Sequence, residues 1–537
     1  MPLSSTLPFP ISFAVLTDSY KVTHPLIYPE AQKMVAYGEA RHGYDKDTED
    51  SRIVVYGIRH FIENYVAKQW TEEDVIQAEL FFSTHNAGFT PFPFPKDLFM
   101  KIVHEHNGYF PVKIEALPEG FVAHPHVPVF QIFAEGEMSR FVTFLETILT
   151  MIWYPMTVAT LSRRSKDIIK AAYEKSVDEA NFWSLNSRLH DFGFRGCTSV
   201  DQAILGGSAH LLNFTGTDTM AAAFHAQFYL NRGEPIASSI PASEHSVMMA
   251  FKTEKEAMEA MIEQFGDGIY ACVMDSYDYQ YALDSVLPAV AKFKVDKSAN
   301  GFLVLRPDSG DIVDAVLAGL RAADKVFGSD KNKKGYKVLR GCGVIQGDGV
   351  SYESLRRILD ATLAEGYAAE NVAFGMGSGL LQKLNRDTIS FATKLSHITY
   401  ADGTPRDVMK HPKDDAGKIS LPGILDVYTN EGGKLTVGPR RADGVPHPKN
   451  HLKVVYDHGK VPKADTSTRQ FGTQTVQDNK YILSESEGLS AWETFGEIQK
   501  RLESLWENQP KVLNPISPEL DNKIKHALST DEPKKEK

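Results

Sequence analysis

The sequence predicts an α/β protein. Its middle third reads as an irregular parallel α/β barrel, and its N- and C-terminal parts as a second, α+β domain. Three observations carry this reading. Short apolar runs alternate with amphipathic helical stretches through the middle of the chain. Four of those runs end in polar tips, rich in Gly and Asp, that open onto helices. The first third carries strands and helices without that alternation.

In the first third, Ile53–Tyr56, Val112–Leu117, Gly120–Ala123 and Val127–Phe133 are apolar runs punctuated by Pro and Gly, the signature of short strands. Helical periodicity follows over Ser139–Ile152 and again from Thr157 to Glu179. The stretch Phe141–Leu161 is long enough to resemble a membrane span. It contains Glu146 and Pro155, and an unpaired carboxylate at mid-bilayer is costly, so it reads as a buried helix.

In the middle third, Ala271–Met274 ends in Asp275-Ser276-Tyr277-Asp278. Phe302–Leu305 runs into Arg306-Pro307-Asp308-Ser309-Gly310-Asp311, followed by a helix with Ile312, Val313, Val316, Leu317 and Leu320 at helical spacing. Val344–Gln346 ends in Gly347-Asp348-Gly349, before a helix from Ser351 to Glu365 that Gly366 stops. Asn371–Phe374 ends in Gly375-Met376-Gly377-Ser378-Gly379, with a helix expected from Leu380. Gly, Asp and Ser are the commonest turn residues, so one such tip would mean little. Four in succession point to a site, because the βα loops of a parallel barrel all face the end that carries the chemistry. Earlier, Leu211–Phe214 reads as a strand-like run leading to Gly216-Thr217-Asp218-Thr219. After the barrel the chain turns polar from Lys410 to Asp465. Leu421–Val437 and His451–Val455 read as further strands, and the charged tail Ser529–Lys537 as disordered.

Composition narrows the function. The chain has 537 residues and a formal charge of −11, against the basic footprint that nucleic-acid backbones require. Cys197, Cys272 and Cys342 have no CxxC spacing, which supports neither a disulfide framework nor a zinc site and suits a reducing compartment. Met1–Pro10 lacks the basic start of a secretory signal, so a cytoplasmic location is expected. There is no GxSxG elbow and no HExxH, which leaves serine hydrolase and zincin readings without their usual support.

The candidate residues suit a phosphorylated, ribose-bearing ligand. Backbone N–H groups in Gly375–Gly379 can approach a phosphate, although a tight turn explains the same glycines. Ser378 can donate to a phosphate oxygen, and Asp348 can accept from ribose hydroxyls. Arg306 and Asp308 pair a guanidinium with a carboxylate on a Pro-pinned turn, either a surface ion pair or a phosphate contact beside a ribose or magnesium-water contact. Arg386, expected on the helix after Gly379, is either a solvated charge or a second phosphate ligand. In Asp191-Phe192-Gly193-Phe194-Arg195-Gly196 the aromatics are either core or faces for a planar heterocycle, and Arg195 can meet a diphosphate. Asp218 can accept from an amide. His245, beside Glu244, is either structural, a general acid–base group or a phosphoryl acceptor.

Taken together these motifs resemble the nicotinamide phosphoribosyltransferase family, of the type II phosphoribosyltransferases. The resemblance rests on Leu16–His24, Asp191–Gly196, Asn213–Thr219, Pro241–Ser246, Asp275–Asp278, Arg306–Gly310, Val344–Gly349 and Gly379–Asp387, in order, across residues 12–412. It implies transfer of phosphoribosyl from 5-phosphoribosyl 1-pyrophosphate to nicotinamide, with Mg²⁺, and with ATP phosphorylating His245. It implies that Phe192 stacks on the pyridine ring, that Tyr20 of a neighbouring subunit covers the other face, and that Asp218 accepts from the carboxamide. Arg195 then meets diphosphate. Arg306 and Asp308 hold phosphate and ribose, with Asp275 close to the ribose. Gly347 and Asp348 bind the ribose, and Gly377, Ser378 and Arg386 the 5′-phosphate. The metal ligands are left unassigned. Met376 and Ser378 depart from the family's more glycine-rich loop. With the resemblance, the barrel is drawn at 181–395, the second domain at 1–180 with 396–537, and a homodimer is expected. The alternatives are a nicotinate phosphoribosyltransferase, which the Asp218 carboxylate disfavours, and a non-catalytic binding or signalling protein on the same fold.

Overall fold

The computed structural model describes residues 11–412, 416–462, 469–471, 474–476 and 491–530. The expectations for Met1–Pro10 and for residues 531–537 of the tail lie outside these. The chain divides into two compact units, 1–157 with 385–537, and 158–384. The sequence reading drew these limits at 180 and 395. The difference arises at one end because a single helix, Trp153–Ser176, runs through the boundary, so helical periodicity alone gives no sign of it. At the other end the last barrel helix is one turn long, and the chain has left the barrel by Asn385.

The unit 158–384 is built on five parallel strands, β1 (Leu189–Asp191), β2 (Ile269–Val273), β3 (Phe302–Arg306), β4 (Cys342–Gln346) and β5 (Val372–Met376), in the order β1-β5-β4-β3-β2. Two irregular segments complete the ring. Thr217 bridges Asp191, Ser238 bridges Gly216, and Ala242 bridges Ala271, all parallel. The sheet is thus a closed barrel in which 215–218 and 238–243 replace full strands. Closure removes the open edges that a five-stranded sheet would expose. Ala271, Val304 and Ile345 form its buried centre, with Ile240, Phe192 and Ala373 packed against them.

The crossover helices follow the sequence closely. Ile312–Phe327 is N-capped by Asp311, whose carboxylate accepts from the N–H groups of Val313 and Asp314, and it buries Val316, Leu320 and Ala323. Tyr352–Ala364 starts in a capping box between Ser351 and Ser354 and buries Leu355, Ile358 and Leu359. Leu211–Phe214 is not a strand. Val200–Leu211 is a helix capped by Ser199, and it tolerates Gly207 because a Cβ there would meet the Cβ of Ala222 at 2.5 Å. The helix from Leu380 is only Ser378–Leu381, and Arg386 lies on a separate 3-10 turn, Arg386–Thr388, capped by Asn385.

The other unit holds a six-stranded antiparallel sheet in the order 405–407, 392–400, 31–39, 128–135, 113–116, 453–457. It therefore joins strands from both ends of the chain. The helix expected over Ser139–Ile152 is broken into a 3-10 turn, Gly136–Phe141, and Glu146–Thr150, so Phe141–Leu161 is no continuous helix. No helix among the described residues is long and apolar enough to cross a membrane. The expected run Leu421–Val437 is a hairpin, Leu425–Thr429 with Leu435–Pro439. Near the C-terminus, Phe495–Asn508 buries Phe495, Ile498, Leu502 and Trp506 at helical spacing, and Arg52 stacks on the Trp506 ring at 3.9 Å. Gly120 admits this helix: its φ is +74°, and a Cβ would lie 2.6 Å from the Ile498 carbonyl.

Candidate active site

Every segment of the closed ring ends at the same mouth, because all are parallel. The mouth therefore gathers Phe192 and Arg195 after β1, Asp218 after 215–217, His245 after 238–243, Asp275 after β2, and Arg306 and Asp308 at the end of β3. Gly347 and Asp348 follow β4, and Gly377 and Ser378 follow β5. Eleven predicted site residues lie in this unit, all at the carboxyl ends of barrel segments, where barrels place chemistry.

Four of them form a tight charged group. His245 Nε2 lies 3.2 Å from Asp275 Oδ1, and its Nδ1 lies 3.8 Å from Asp308 Oδ2. The other Asp275 oxygen accepts from the Asp308 N–H at 2.9 Å and from the Ser309 hydroxyl. Arg306 Nη2 stands 3.4 Å from Asp308 Oδ1, while Arg306 Nε is buried without a hydrogen-bond partner. The Asp275 side chain is 2% exposed and the His245 side chain 40%, so the carboxylate is a fixed support and the imidazole is open to a ligand. Ser243 sets the histidine's position: its N–H donates to the Ala271 carbonyl, and its hydroxyl accepts from the Val273 N–H.

Glycines shape the aromatic part of the mouth. A Cβ on Gly375 would fall 2.0 Å from the Phe192 ring, so that ring can occupy its place only because residue 375 is glycine. A Cβ on Gly347 would lie 3.0 Å from Arg306 Nε and 3.3 Å from the same ring. Arg306 lies over Phe192 with its guanidinium carbon 5.1 Å from the ring centre. The Phe192 N–H donates to the Met376 carbonyl, and Met376 is fully buried beneath the loop, so its side chain leaves Gly377 and Ser378 clear. Asp218 is exposed and accepts from the Ser239 hydroxyl at 2.8 Å.

Two residues in this unit escaped the sequence reading. Asp191 is fully buried, and burial, opposed by the bond from the Gly193 N–H, raises its carboxyl to about 6. Gln382 donates to the Gly193 carbonyl at 2.9 Å and contacts the Cys197 sulfur at 3.1 Å, pinning the Arg195 loop. Asp191 lies within Asp191–Gly196, where the aromatics and Arg195 carry the recognisable chemistry. A glutamine carries no signal by type.

Tyr20 and Arg386 belong to the other unit. Tyr20, on the helix Ser19–Ile27, is 54% exposed, with its hydroxyl 3.5 Å from Asp18. Arg386 is exposed, 4.0 Å from Asp387. That unit also holds a basic group that the motifs did not reveal. Lys394 lies within electrostatic reach of Arg41, Lys410 and Lys21 as well as Glu146, and burial pulls its ammonium below the usual lysine range. Arg41 has buried Nε and Nη2 atoms without hydrogen-bond partners. The signal was a scatter of cations at separated positions, which only the folded sheet gathers. Among the described residues no group of three or more His, Cys, Asp or Glu side chains is arranged to hold a metal ion.

The closed parallel barrel carries a His–Asp–Asp–Arg group at its mouth, and similarity to known proteins places the chain among the phosphoribosyltransferases. A profile of the Nicotinate phosphoribosyltransferase (NAPRTase) family matches residues 187–460, and one of the Nicotinamide phosphoribosyltransferase, N-terminal domain, matches 12–114. The chain is 40% identical over 417 residues to a nicotinamide phosphoribosyltransferase of Xanthomonas campestris pv. campestris, covering 76% of this chain and 86% of the relative. It is 28% identical over 477 residues to one of Acinetobacter baylyi, covering 83% and 93%. Among solved structures, human nicotinic acid phosphoribosyltransferase aligns with a TM-score of 0.59 at 15% identity, over 95% of this chain and all of that one. The nicotinate-nucleotide pyrophosphorylase of Pyrococcus furiosus aligns with a TM-score of 0.56 at 14% identity, over 94% and 98%. The chain belongs to the nicotinate phosphoribosyltransferase family, on its nicotinamide phosphoribosyltransferase branch.

Proposed function

We propose that the chain transfers phosphoribosyl from 5-phosphoribosyl 1-pyrophosphate to nicotinamide, giving nicotinamide mononucleotide and pyrophosphate in NAD salvage. The observation that carries this reading is the gathering of Arg306, Asp308, Asp275 and His245 at one barrel mouth, beside the exposed Asp218 carboxylate. The names of the curated relatives support the same substrate.

In this reaction the C1′–O bond breaks, the electron pair leaves with pyrophosphate, and the pyridine nitrogen bonds to C1′. Positive charge builds on the ribose and negative charge on the leaving group. Asp308, Asp275 and Asp348 answer the first, and Arg306 and Arg195 the second. Gly347 and Asp348 take the ribose hydroxyls. Gly377 and Ser378 offer an N–H and a hydroxyl to the 5′-phosphate. The helix after them, Ser378–Leu381, is short and adds little dipole. Phe192 offers a face to the pyridine ring, and Asp218 accepts from the carboxamide but would repel a carboxylate, which favours nicotinamide over nicotinate. Tyr20 of a second copy covers the other face, in a homodimer.

Mg²⁺ suits this donor set. It needs only one or two carboxylates when substrate phosphates supply the rest, and Asp308 is the half-buried carboxylate beside Arg306. When bound it neutralises diphosphate charge. His245 is the acceptor of a phosphoryl group from ATP. Asp275 holds one ring nitrogen, leaving Nδ1 to form the N–P bond as the γ-phosphate leaves ADP.

The test is chromatographic. With 5-phosphoribosyl 1-pyrophosphate, Mg²⁺ and nicotinamide, mononucleotide should form, and Arg306→Ala should reduce kcat/KM by about a hundredfold or more. Equal turnover by the variant would remove this mouth from the reaction.

A further inference from the structure

We propose that Asp191 is a positioning residue for base selection, tying the loop that carries Phe192 and Arg195 to the segment that carries Asp218. The proposal rests on nicotinamide being the substrate.

Asp191 is the last residue of β1, and its main chain is engaged on both sides of the ring. It pairs with Met376 on one side and bridges Thr217 on the other. Its carbonyl accepts from the Asp218 N–H at 2.9 Å, which fixes where that residue leaves the barrel. Its side chain works in the other direction: Oδ1 accepts from the Gly193 N–H at 2.7 Å. That bond turns the chain immediately after Phe192, so the ring faces inward toward Gly375 and Arg306 while Arg195 remains exposed. One residue therefore sets the placement of both groups assigned to the base.

The fold reserves space for this carboxylate. A Cβ at position 207 would come within 3.1 Å of Asp191 Oδ2 and 2.5 Å of the Ala222 Cβ, so Gly207 keeps the pocket open. Oδ2 is buried without a hydrogen-bond partner, as is the neighbouring Thr219 hydroxyl oxygen. A fully buried carboxylate retained with one oxygen unsatisfied costs stability. What it returns is the position of two segments. Its carbonyl holds the Asp218 segment and its Oδ1 the Phe192 loop, so a single buried residue keeps both groups in register with the base. Asp191 itself is buried and touches no substrate, so it acts through Phe192, Arg195 and Asp218.

The test compares kcat/KM for nicotinamide and nicotinate in the full chain and in two variants, with 5-phosphoribosyl 1-pyrophosphate and Mg²⁺ present. Asp191→Asn keeps an oxygen for the Gly193 N–H and removes the charge. With the loop bond kept, it should retain both nicotinamide turnover and the nicotinamide-to-nicotinate ratio within about threefold. Asp191→Ala removes the loop bond as well, and should raise KM for nicotinamide but not for the phosphoribosyl donor. A fall of about tenfold in that ratio in Asp191→Asn, which keeps the bond, would overturn the proposal whether or not the alanine variant folds, and so would a wild-type KM for nicotinamide in a folded Asp191→Ala. Wild-type turnover of nicotinamide reads the substrate assignment and the variant ratio reads Asp191, so the two fail separately.

Discussion

His245 and Asp275 meet across adjacent segments of the barrel ring, Nε2 to Oδ1 at 3.2 Å, with the carboxylate buried and the imidazole open. A buried carboxylate accepting from one ring nitrogen fixes the tautomer and leaves the other nitrogen as a nucleophile. The same carboxylate holds the Asp308 backbone, so the phosphoryl acceptor and the ribose-facing acid share one support.

From this pair follows the first prediction. His245→Ala should abolish stimulation by ATP while the dissociation constant for nicotinamide changes by less than about twofold, because the base site lies at other tips. Isothermal titration and steady-state rates with and without ATP measure both. Unchanged ATP stimulation would remove His245 from that role.

Asp218→Asn should erode the preference for nicotinamide over nicotinate by about tenfold or more, since an amide side chain no longer repels a carboxylate. The ratio of kcat/KM values for the two bases reads this directly.

Gly375→Ala should raise KM for nicotinamide and lower stability by about 1–3 kcal/mol, because the new methyl overlaps the Phe192 ring and overpacking forces that ring to move. Gly375→Ala with Phe192→Leu should recover stability but not base affinity. Denaturant unfolding and base titration separate the two effects.

His210 predicts a pH dependence. Its ring is fully buried, Ser162 Oγ lies 3.0 Å from Nδ1, and the Leu189 and Gly216 carbonyls lie 3.2 and 3.1 Å from Nε2. Burial pulls its pKa down from 6.5 to about 4. Below pH 6.5 the unfolded chain takes a proton that the folded chain refuses. The stability from the neutral ring is therefore complete above 6.5 and is lost as pH falls through 4, about 3 kcal/mol in all. The stability difference between wild type and His210→Gln should shrink by that amount from pH 7 to pH 4. A difference constant with pH would contradict the buried neutral assignment.

Much of this was legible in the sequence where local chemistry decides. The crossover helices at 312–327 and 352–364 are legible in their apolar spacing and, for the second, in Gly366 as a stop. The four Asp- and Gly-rich tips mark the barrel mouth in the sequence itself. The sequence reading failed where tertiary contacts decide. Leu211–Phe214 has strand composition, but Leu211 ends a helix whose Gly207 fits against Ala222, and 212–214 follow as a turn. Arg386 continued an apparent helical run that stops after one turn. The segments 215–218 and 238–243 close the barrel with isolated bridges, too short to leave a periodic trace. Asp191 and Gln382 act through buried geometry, and Arg41, Lys394 and Lys410 come together only when distant parts of one sheet unit meet.

The central claim is that this barrel mouth joins a ribosyl donor to a neutral pyridine amide. The most direct measurement offers nicotinamide and nicotinate side by side, at equal concentration, with 5-phosphoribosyl 1-pyrophosphate, Mg²⁺ and ATP, and identifies the mononucleotide formed. The account predicts nicotinamide mononucleotide as the dominant product, whereas nicotinate mononucleotide in its place, or no mononucleotide at all, would contradict it.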